Sequence, residues 1–91
     1  MAAAVGPERR PRRADALEVS EVVDGLVVYQ ADPDRVHYLN GTAAVVFELC
    51  TGDNREDEIA DLIGRAYGLD DAPRREVASC LDHLQREGIV R

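Results

Sequence analysis

The sequence predicts an α+β domain in which a three-stranded antiparallel sheet is followed by three helices, an arrangement similar to a winged helix-turn-helix. Two observations predict it. Before Asn40, apolar and polar residues alternate in short runs separated by Asp24-Gly25 and Asp32-Pro33-Asp34, which is typical of short strands joined by tight turns. After Asn40 the apolar residues recur three and four positions apart, which is typical of helices.

The three predicted strands span residues 17–23, 26–31 and 35–39. Asp24-Gly25 is a strong hairpin signal, because both central residues of a type I′ turn need a positive φ. We therefore expect the first two strands to form a hairpin with these two residues at its tip.

The first helix is expected over residues 41–51 and is apolar over most of its circumference, so it should lie at the centre of the domain. Asn40 or Thr42 can accept hydrogen bonds from the free N–H groups of its first turn. Gly52 can adopt the left-handed conformation that ends a helix.

The second and third helices are predicted to be amphipathic. The second is expected over residues 56–67, with Asn54 as its N-cap and Gly68 at its end. The third is expected over residues 73–87, where Val77, Leu81 and Leu84 form one apolar stripe.

Ninety-one residues suffice for one small domain. Residues 1–15 contain Gly6, Pro7, Pro11 and four arginines, so we expect a flexible basic arm there and a folded domain over residues 16–91. From Ala14 onward, seven arginines against seventeen acidic residues give a net charge of −10. The sequence therefore predicts an acidic body behind a basic arm.

No apolar run reaches the roughly 18 residues that a membrane span requires, and the amino terminus lacks the apolar core of a signal peptide. We expect a cytoplasmic protein with no membrane partner. Cys50 and Cys80 fall on apolar helical faces, where reduced thiols pack as small hydrophobic groups.

Neither a metal centre nor a catalytic site is indicated. His37, His83, Cys50 and Cys80 show no C-x-x-C or H-x-x-x-H spacing, and the two serines lack triad partners. The glycines are isolated and form no phosphate-binding loop. We therefore expect no metal, no cofactor and no enzymatic activity.

The winged helix-turn-helix arrangement raises DNA binding as an alternative function. The candidate reading helix carries Arg74 and Arg75, but acidic residues surround them. Duplex DNA carries one negative charge per roughly 1.7 Å of axis, so it would repel a body of this charge unless the arm did all the binding. The charge therefore disfavours a nucleic-acid partner.

The third predicted strand offers a different binding surface. If the strands form a meander in chain order, one side of this strand pairs with the second strand, and its other side presents unpaired N–H and C=O groups. An extended peptide could add there as a fourth strand. The alternative is an edge covered by the third helix or by the arm, and residue spacing leaves both open.

Several segments, in order and at matching spacing, resemble the PqqD-like family of peptide-recognition proteins from pathways of ribosomally synthesised and post-translationally modified peptides (RiPPs). The most specific elements are Leu39-Asn40 before a helix start of small residues and the closing pattern Leu81-x-x-Leu84-x-x-x-Gly88-Ile89-Val90. The resemblance covers about residues 17–90. Where the family usually has Thr or Ser at the start of the second helix, this chain has Arg55. The matching segments are 28–29, 32–44, 47–52, 58–60 and 81–90.

The resemblance implies a non-catalytic protein that binds the leader segment of a precursor peptide as a strand added to its own third strand. The other wall of the groove is implied to be the third helix. The strand residues that the resemblance implies are Arg35, Val36, His37, Tyr38 and Leu39. On the helix it implies one of two flanks, either Glu76, Cys80, His83 and Glu87 or Arg74 and Ala78, and the choice between them is open.

We therefore predict a RiPP recognition element, an adaptor that presents the leader of a precursor peptide to a maturation enzyme such as a radical SAM enzyme, a leader protease or a cyclase. A winged-helix DNA-binding transcriptional regulator is the alternative, and a domain that only stabilises an enzyme subunit is a third. An unpaired sheet edge can also pair with its own copy, so a monomer or a weak homodimer is expected.

Overall fold

A computed structural model of the chain describes residues 8–31 and 34–91. Residues 1–7 of the predicted arm, and Asp32 and Pro33 of the second predicted turn, lie outside the described residues. The predicted class and element order are confirmed, and each element ends within two residues of its predicted bounds. The elements are β1 (Leu17–Val22), β2 (Gly25–Gln30), β3 (Arg35–Asn40), α1 (Gly41–Leu49), α2 (Glu56–Ala66) and α3 (Arg74–Arg86).

The three strands form an antiparallel meander in the order β1-β2-β3. On β2, Leu26 and Val28 are buried against the helices, and Leu26 lies opposite Leu39 of β3. α1 covers this face of the sheet, and α2 and α3 pack against α1. β3 lies at an edge, as the meander predicts. None of the helices within the described ranges is long and apolar enough to cross a bilayer.

The predicted turn between β1 and β2 is wrong in its position. Val22 pairs with Gly25, so the two-residue loop is Val23-Asp24. Neither Asp24 nor Gly25 has a positive φ, which excludes the predicted type I′ turn at these positions. Gly25 is required for another reason: a Cβ atom there would lie 1.8 Å from the carbonyl oxygen of Leu39 on β3.

The ends of α1 largely follow the prediction. Asn40 caps its amino end, because the Asn40 side chain accepts a hydrogen bond from the backbone N–H of Ala43 at 3.0 Å. The helix ends at Leu49, two residues earlier than expected. Gly52 has the predicted positive φ (+90°), but it lies in the turn after the helix, where its N–H donates to the carbonyl of Pro11.

The predicted N-cap of α2 is wrong by one residue. Arg55 occupies this position, and its backbone N–H donates to the side chain of Glu58 at 2.8 Å. Asn54 instead donates its side-chain amide to the carbonyl of Leu49, which ties the α1–α2 connection to the end of α1. Gly68, with φ +64°, follows α2 as expected.

Residues 9–14 of the predicted arm pack against the domain, so the expected flexibility is not found in this part of it. Arg12 forms an antiparallel bridge with Thr51, and Arg13 forms one with Val90. Pro11 is fully buried. The segment is ordered because its backbone bonds to both the α1–α2 connection and the carboxyl-terminal residues, which lie side by side only in the folded chain.

Arg9 connects this segment to two helices. Its guanidinium group, 6% exposed, forms an ion pair with the buried Glu56 of α2. It also donates to Asp82 at 3.0 Å and to Gln85 at 2.8 Å, both on α3. These bonds offset the cost of removing the guanidinium and the Glu56 carboxylate from water.

We predict that Arg9→Ala destabilises the fold by about 3–5 kcal/mol, because it leaves the Glu56 carboxylate buried without a partner. Urea unfolding of the full chain measures this. The double variant Arg9→Met/Glu56→Gln should recover most of the loss, since neither side chain is then charged. A loss under about 1 kcal/mol for Arg9→Ala would contradict a structural role for this ion pair.

Gly25→Ala should destabilise the domain by about 2–3 kcal/mol, because the added methyl group meets a backbone carbonyl that cannot move without disturbing the β2–β3 pairing. Gly41→Ala is the matched control, since the only atom that its Cβ would approach is 3.9 Å away. It should be neutral or slightly stabilising. Equal unfolding midpoints for the two variants would disprove the close approach at Gly25.

Candidate functional site

The outer edge of β3 faces α3 across a gap. β3 pairs with β2 along its inner edge, and no segment within residues 8–31 and 34–91 hydrogen-bonds to the backbone of its outer edge. No Cα atom of β3 comes within 8 Å of a Cα atom of α3. Because neighbouring strands lie about 4.8 Å apart, this gap leaves space for a further strand beside β3.

Two cavities follow this gap, and together they form what we call the β3–α3 groove. His83 lines both of them, so the two cavities are adjacent. The first has a volume of about 360 Å³ and is lined by Arg35, Val36, His37, Tyr38, Leu39, His83, Leu84, Glu87 and Ile89. The second, of about 640 Å³, is lined by Asn40, Thr42, Ala43, Arg75, Glu76, Ser79, Cys80, His83 and Arg86.

The side chains of β3 alternate between the two faces of the sheet. His37 and Leu39 lie opposite Val28 and Leu26 of β2, whose side chains are in the core, so they share the face that the helices cover. Val36 and Tyr38 lie on the outer face and are 67% and 55% exposed. A strand added to β3 would show the same alternation, with every second side chain directed into the groove.

Tyr38 is held in place on this outer face. Its hydroxyl donates to Asp24 at 2.6 Å, and this hydrogen bond raises the pKa of Tyr38 above its ordinary value. The phenol therefore remains a neutral donor at neutral pH, and its ring extends the exposed apolar surface of Val36.

Glu87 lies where β3 and α3 approach each other at one end of the groove. Its carboxylate is 3.7 Å from the guanidinium of Arg35 and 3.9 Å from a ring nitrogen of His37 and of His83. His37 also contacts Gln30 at 3.2 Å. The Arg35–Glu87 ion pair joins two partly exposed groups and is therefore weak, so a docking peptide can displace it at small cost.

The structure places the two flanks of α3 on different sides. Glu76, Cys80, His83 and Glu87 line the β3–α3 groove together with the predicted strand residues 35–39. Arg74 instead pairs with Asp61 of α2 at 3.0 Å, and the carbonyl of Ala78 accepts a bond from Arg9. The flank with Arg74 and Ala78 therefore faces α2, away from β3.

Several groove residues were not predicted from the sequence. On α3, Arg75, Ser79 and Arg86 line the outer rim of the second cavity. They lie roughly opposite the apolar stripe of Val77 and Leu81, where helical periodicity indicates only a solvated surface. Their position beside Asn40 and Ala43 depends on how α3 packs against α1. A local sequence pattern does not indicate this packing.

Both cysteines are free thiols. Cys50 is fully buried in the core, and this burial raises its pKa to about 12. Cys80 is half-buried in the groove wall, and burial raises its pKa as well. Within the described residues, no group of three or more His, Cys, Asp or Glu side chains is placed to hold a metal ion.

A comparison with known protein families gives a match over residues 25–90 to the family described as "Coenzyme PQQ synthesis protein D (PqqD)". This chain belongs to the PqqD family. The match covers β2 to the end of α3 and so contains both walls of the groove. The family resemblance seen in the sequence is confirmed.

The fold of this PqqD-family chain is also similar to a solved structure described as "TbiB1 in Complex with the TbiA(beta) Leader Peptide". The TM-score is 0.75 at 21% sequence identity, and the similarity covers 88% of this chain and 94% of the other. At this identity the similarity establishes a shared fold. No match to a curated protein sequence was found.

We predict that iodoacetamide labels Cys80 and leaves Cys50 unmodified in the folded protein at pH 8. With a pKa of about 12, Cys50 is almost entirely protonated at this pH and is inaccessible, and only thiolates react. Mass spectrometry of peptides after timed labelling measures the difference, and both residues should react equally in denaturant. Equal labelling of the native protein would contradict the burial of Cys50.

Proposed function

We propose that this PqqD-family chain is a non-catalytic adaptor that captures the leader segment of a ribosomally synthesised precursor peptide and presents the peptide to a modifying enzyme. The observation that carries the proposal is the outer edge of β3. Its backbone has no partner in the described part of the chain, and its Cα atoms lie more than 8 Å from those of α3. An extended peptide fits such a gap as a fourth strand. The structure of similar fold contains a leader peptide, which supports this choice of ligand.

Energetics favour a moderate affinity. β3 has six residues, and a strand added to it forms only a few backbone hydrogen bonds, each worth about 0.5–1.5 kcal/mol net. A leader that is disordered when free also loses conformational entropy on binding. We therefore expect dissociation constants from micromolar to submicromolar, with selectivity supplied by side chains that enter the groove.

The same proposal includes a second partner. An adaptor without chemistry of its own must deliver its peptide to a maturation enzyme, such as a radical SAM enzyme, a leader protease or a cyclase, and we place the chain with them in the cytoplasm. We further propose that it acts as a monomer or weak homodimer, since leader binding needs the β3 edge unoccupied.

The arginines of the N-terminal segment do not support the DNA-binding alternative. Arg9 is buried against Glu56, and Arg10 donates to the carbonyl of Asp53 at 2.7 Å. The guanidinium of Arg13 lies 5.8 Å from the ring centroid of Phe47. These three arginines already make contacts within the fold. A DNA phosphate would have to displace those contacts in order to bind them.

Proline substitution on β3 tests the strand-addition proposal. The backbone N–H groups of successive strand residues point to opposite edges. One of the two residues His37 and Tyr38 therefore directs its N–H toward β2, and the other directs its N–H toward the groove. Proline at the groove-directed position should weaken leader binding about tenfold or more while the fold persists, because it removes a donor and obstructs pairing. The probe is a synthetic leader from the precursor-peptide gene nearest to this gene, and affinity is measured by calorimetry.

Proline at the corresponding edge position of β1, tested as the pair Val19→Pro and Ser20→Pro, is the matched control. The folded member of this pair should bind the leader as the unsubstituted chain does. Backbone NMR identifies the folded variants and should show leader-induced shifts at the amides of β3 and α3. Unchanged affinity in a folded β3 proline variant would refute docking at this edge.

A further inference from the structure

The β3–α3 groove has a cationic rim on a strongly acidic protein. Residues 14–91 carry a net charge of −10. The side chains that line the groove include Arg35, Arg75 and Arg86 against only Glu76 and Glu87. The net charge of the groove lining is thus opposite in sign to that of the rest of the domain. Because salt screens charges beyond a Debye length of about 8 Å, the nearby charges dominate the electrostatic potential in the groove.

The nearest candidate ion-pair partner of Arg86 on α3 is bonded to another part of the fold. Asp82, one helical turn earlier, has the spacing of an ordinary i, i+4 partner for Arg86. The Asp82 carboxylate is instead bonded to the guanidinium of Arg9 at 3.0 Å. Within residues 8–31 and 34–91, no carboxylate lies within 4.0 Å of the Arg86 guanidinium.

Arg75, at the other end of α3, also has a neighbour that takes up the nearby carboxylate. Its neighbour Arg74 takes the carboxylate of Asp61, and within the same residues no acidic side chain pairs with Arg75. Both arginines line the second cavity. The half-buried Ala43 and Cys80 line it as well and offer apolar surface.

We infer that the groove selects extended peptides with an acidic side chain, preferably glutamate, at positions directed toward α3. The methylene groups of glutamate would pack on Ala43 and Cys80, and its carboxylate would reach the guanidinium of Arg75 or Arg86. This inference rests on the proposed function, because it specifies the chemistry of the peptide that adds to β3.

The geometry also sets a spacing. Arg75 and Arg86 are eleven residues apart, about 16 Å along a helix at about 1.5 Å per residue. Residues on one face of a strand are separated by even numbers, and four residues span about 13 Å. On a docked strand aligned with α3, two acidic residues four apart would place one carboxylate near each arginine.

A displayed library of random 12-residue peptides, selected on the immobilised full chain, tests this inference without knowledge of the natural leader. Selected peptides are made synthetically, and backbone NMR establishes whether they shift the amides of β3. The same selection is repeated on Arg75→Gln, Arg86→Gln and the double variant. Arg65→Gln is the control, because Arg65 is exposed on α2, does not line the groove and loses the same charge.

We expect glutamate or aspartate to be enriched at alternating positions of the peptides that bind β3. Replacing one such residue by glutamine should weaken binding about two- to fivefold, as expected for an exposed ion pair, and less at 0.5 M salt than at 0.05 M. The enrichment should disappear in the double variant and persist in Arg65→Gln.

The outcomes separate this inference from the proposed function. Peptides that shift β3 amides but show no acidic enrichment, or the same enrichment in the double variant, would overturn the inference and leave the function standing. If no selected peptide shifts the β3 amides, both are overturned.

Discussion

The pairing of β3 with β2 along one edge is the constraint on which the rest of this structure depends. α1 begins at Gly41, directly after β3, so the chain leaves the sheet before it can cover the outer edge of that strand. α1 then packs on one face of the sheet, α2 and α3 pack against α1, and no Cα atom of α3 comes within 8 Å of one of β3. A strand edge and a helix at this separation enclose the β3–α3 groove, and the functional proposals start from its geometry.

The N-terminal segment maintains the position of α3. Arg9 joins Glu56 of α2 to Asp82 and Gln85 of α3, so one buried guanidinium fixes the relative placement of two helices. The segment's own backbone bonds go to the α1–α2 connection and to the carboxyl-terminal residues, and so residues 9–14 leave the β3 edge free. The same contact engages the Asp82 carboxylate, which has no ion pair with Arg86.

Net charge and local charge lead to different conclusions about ligands. The net charge of −7 argues against nucleic acid as a partner of the whole molecule. At the groove rim, Arg75 and Arg86 have no ion-pair partner in the described part of the chain, and there the local field favours acidic groups. The two statements are compatible because salt screens charges beyond about 8 Å.

The sequence by itself determined the strands, the helices, their order and the Asn40 cap, because alternation, helical spacing and capping are local properties. It also indicated the β3 edge and residues 35–39, since a meander in chain order places its last strand at an edge. The tertiary structure decided the hairpin turn, the packing of the arm and the flank of α3 that faces β3. These depend on contacts between residues far apart in the chain, such as Gly25 with Leu39 and Arg9 with Glu56 and Asp82, which have no periodic signature.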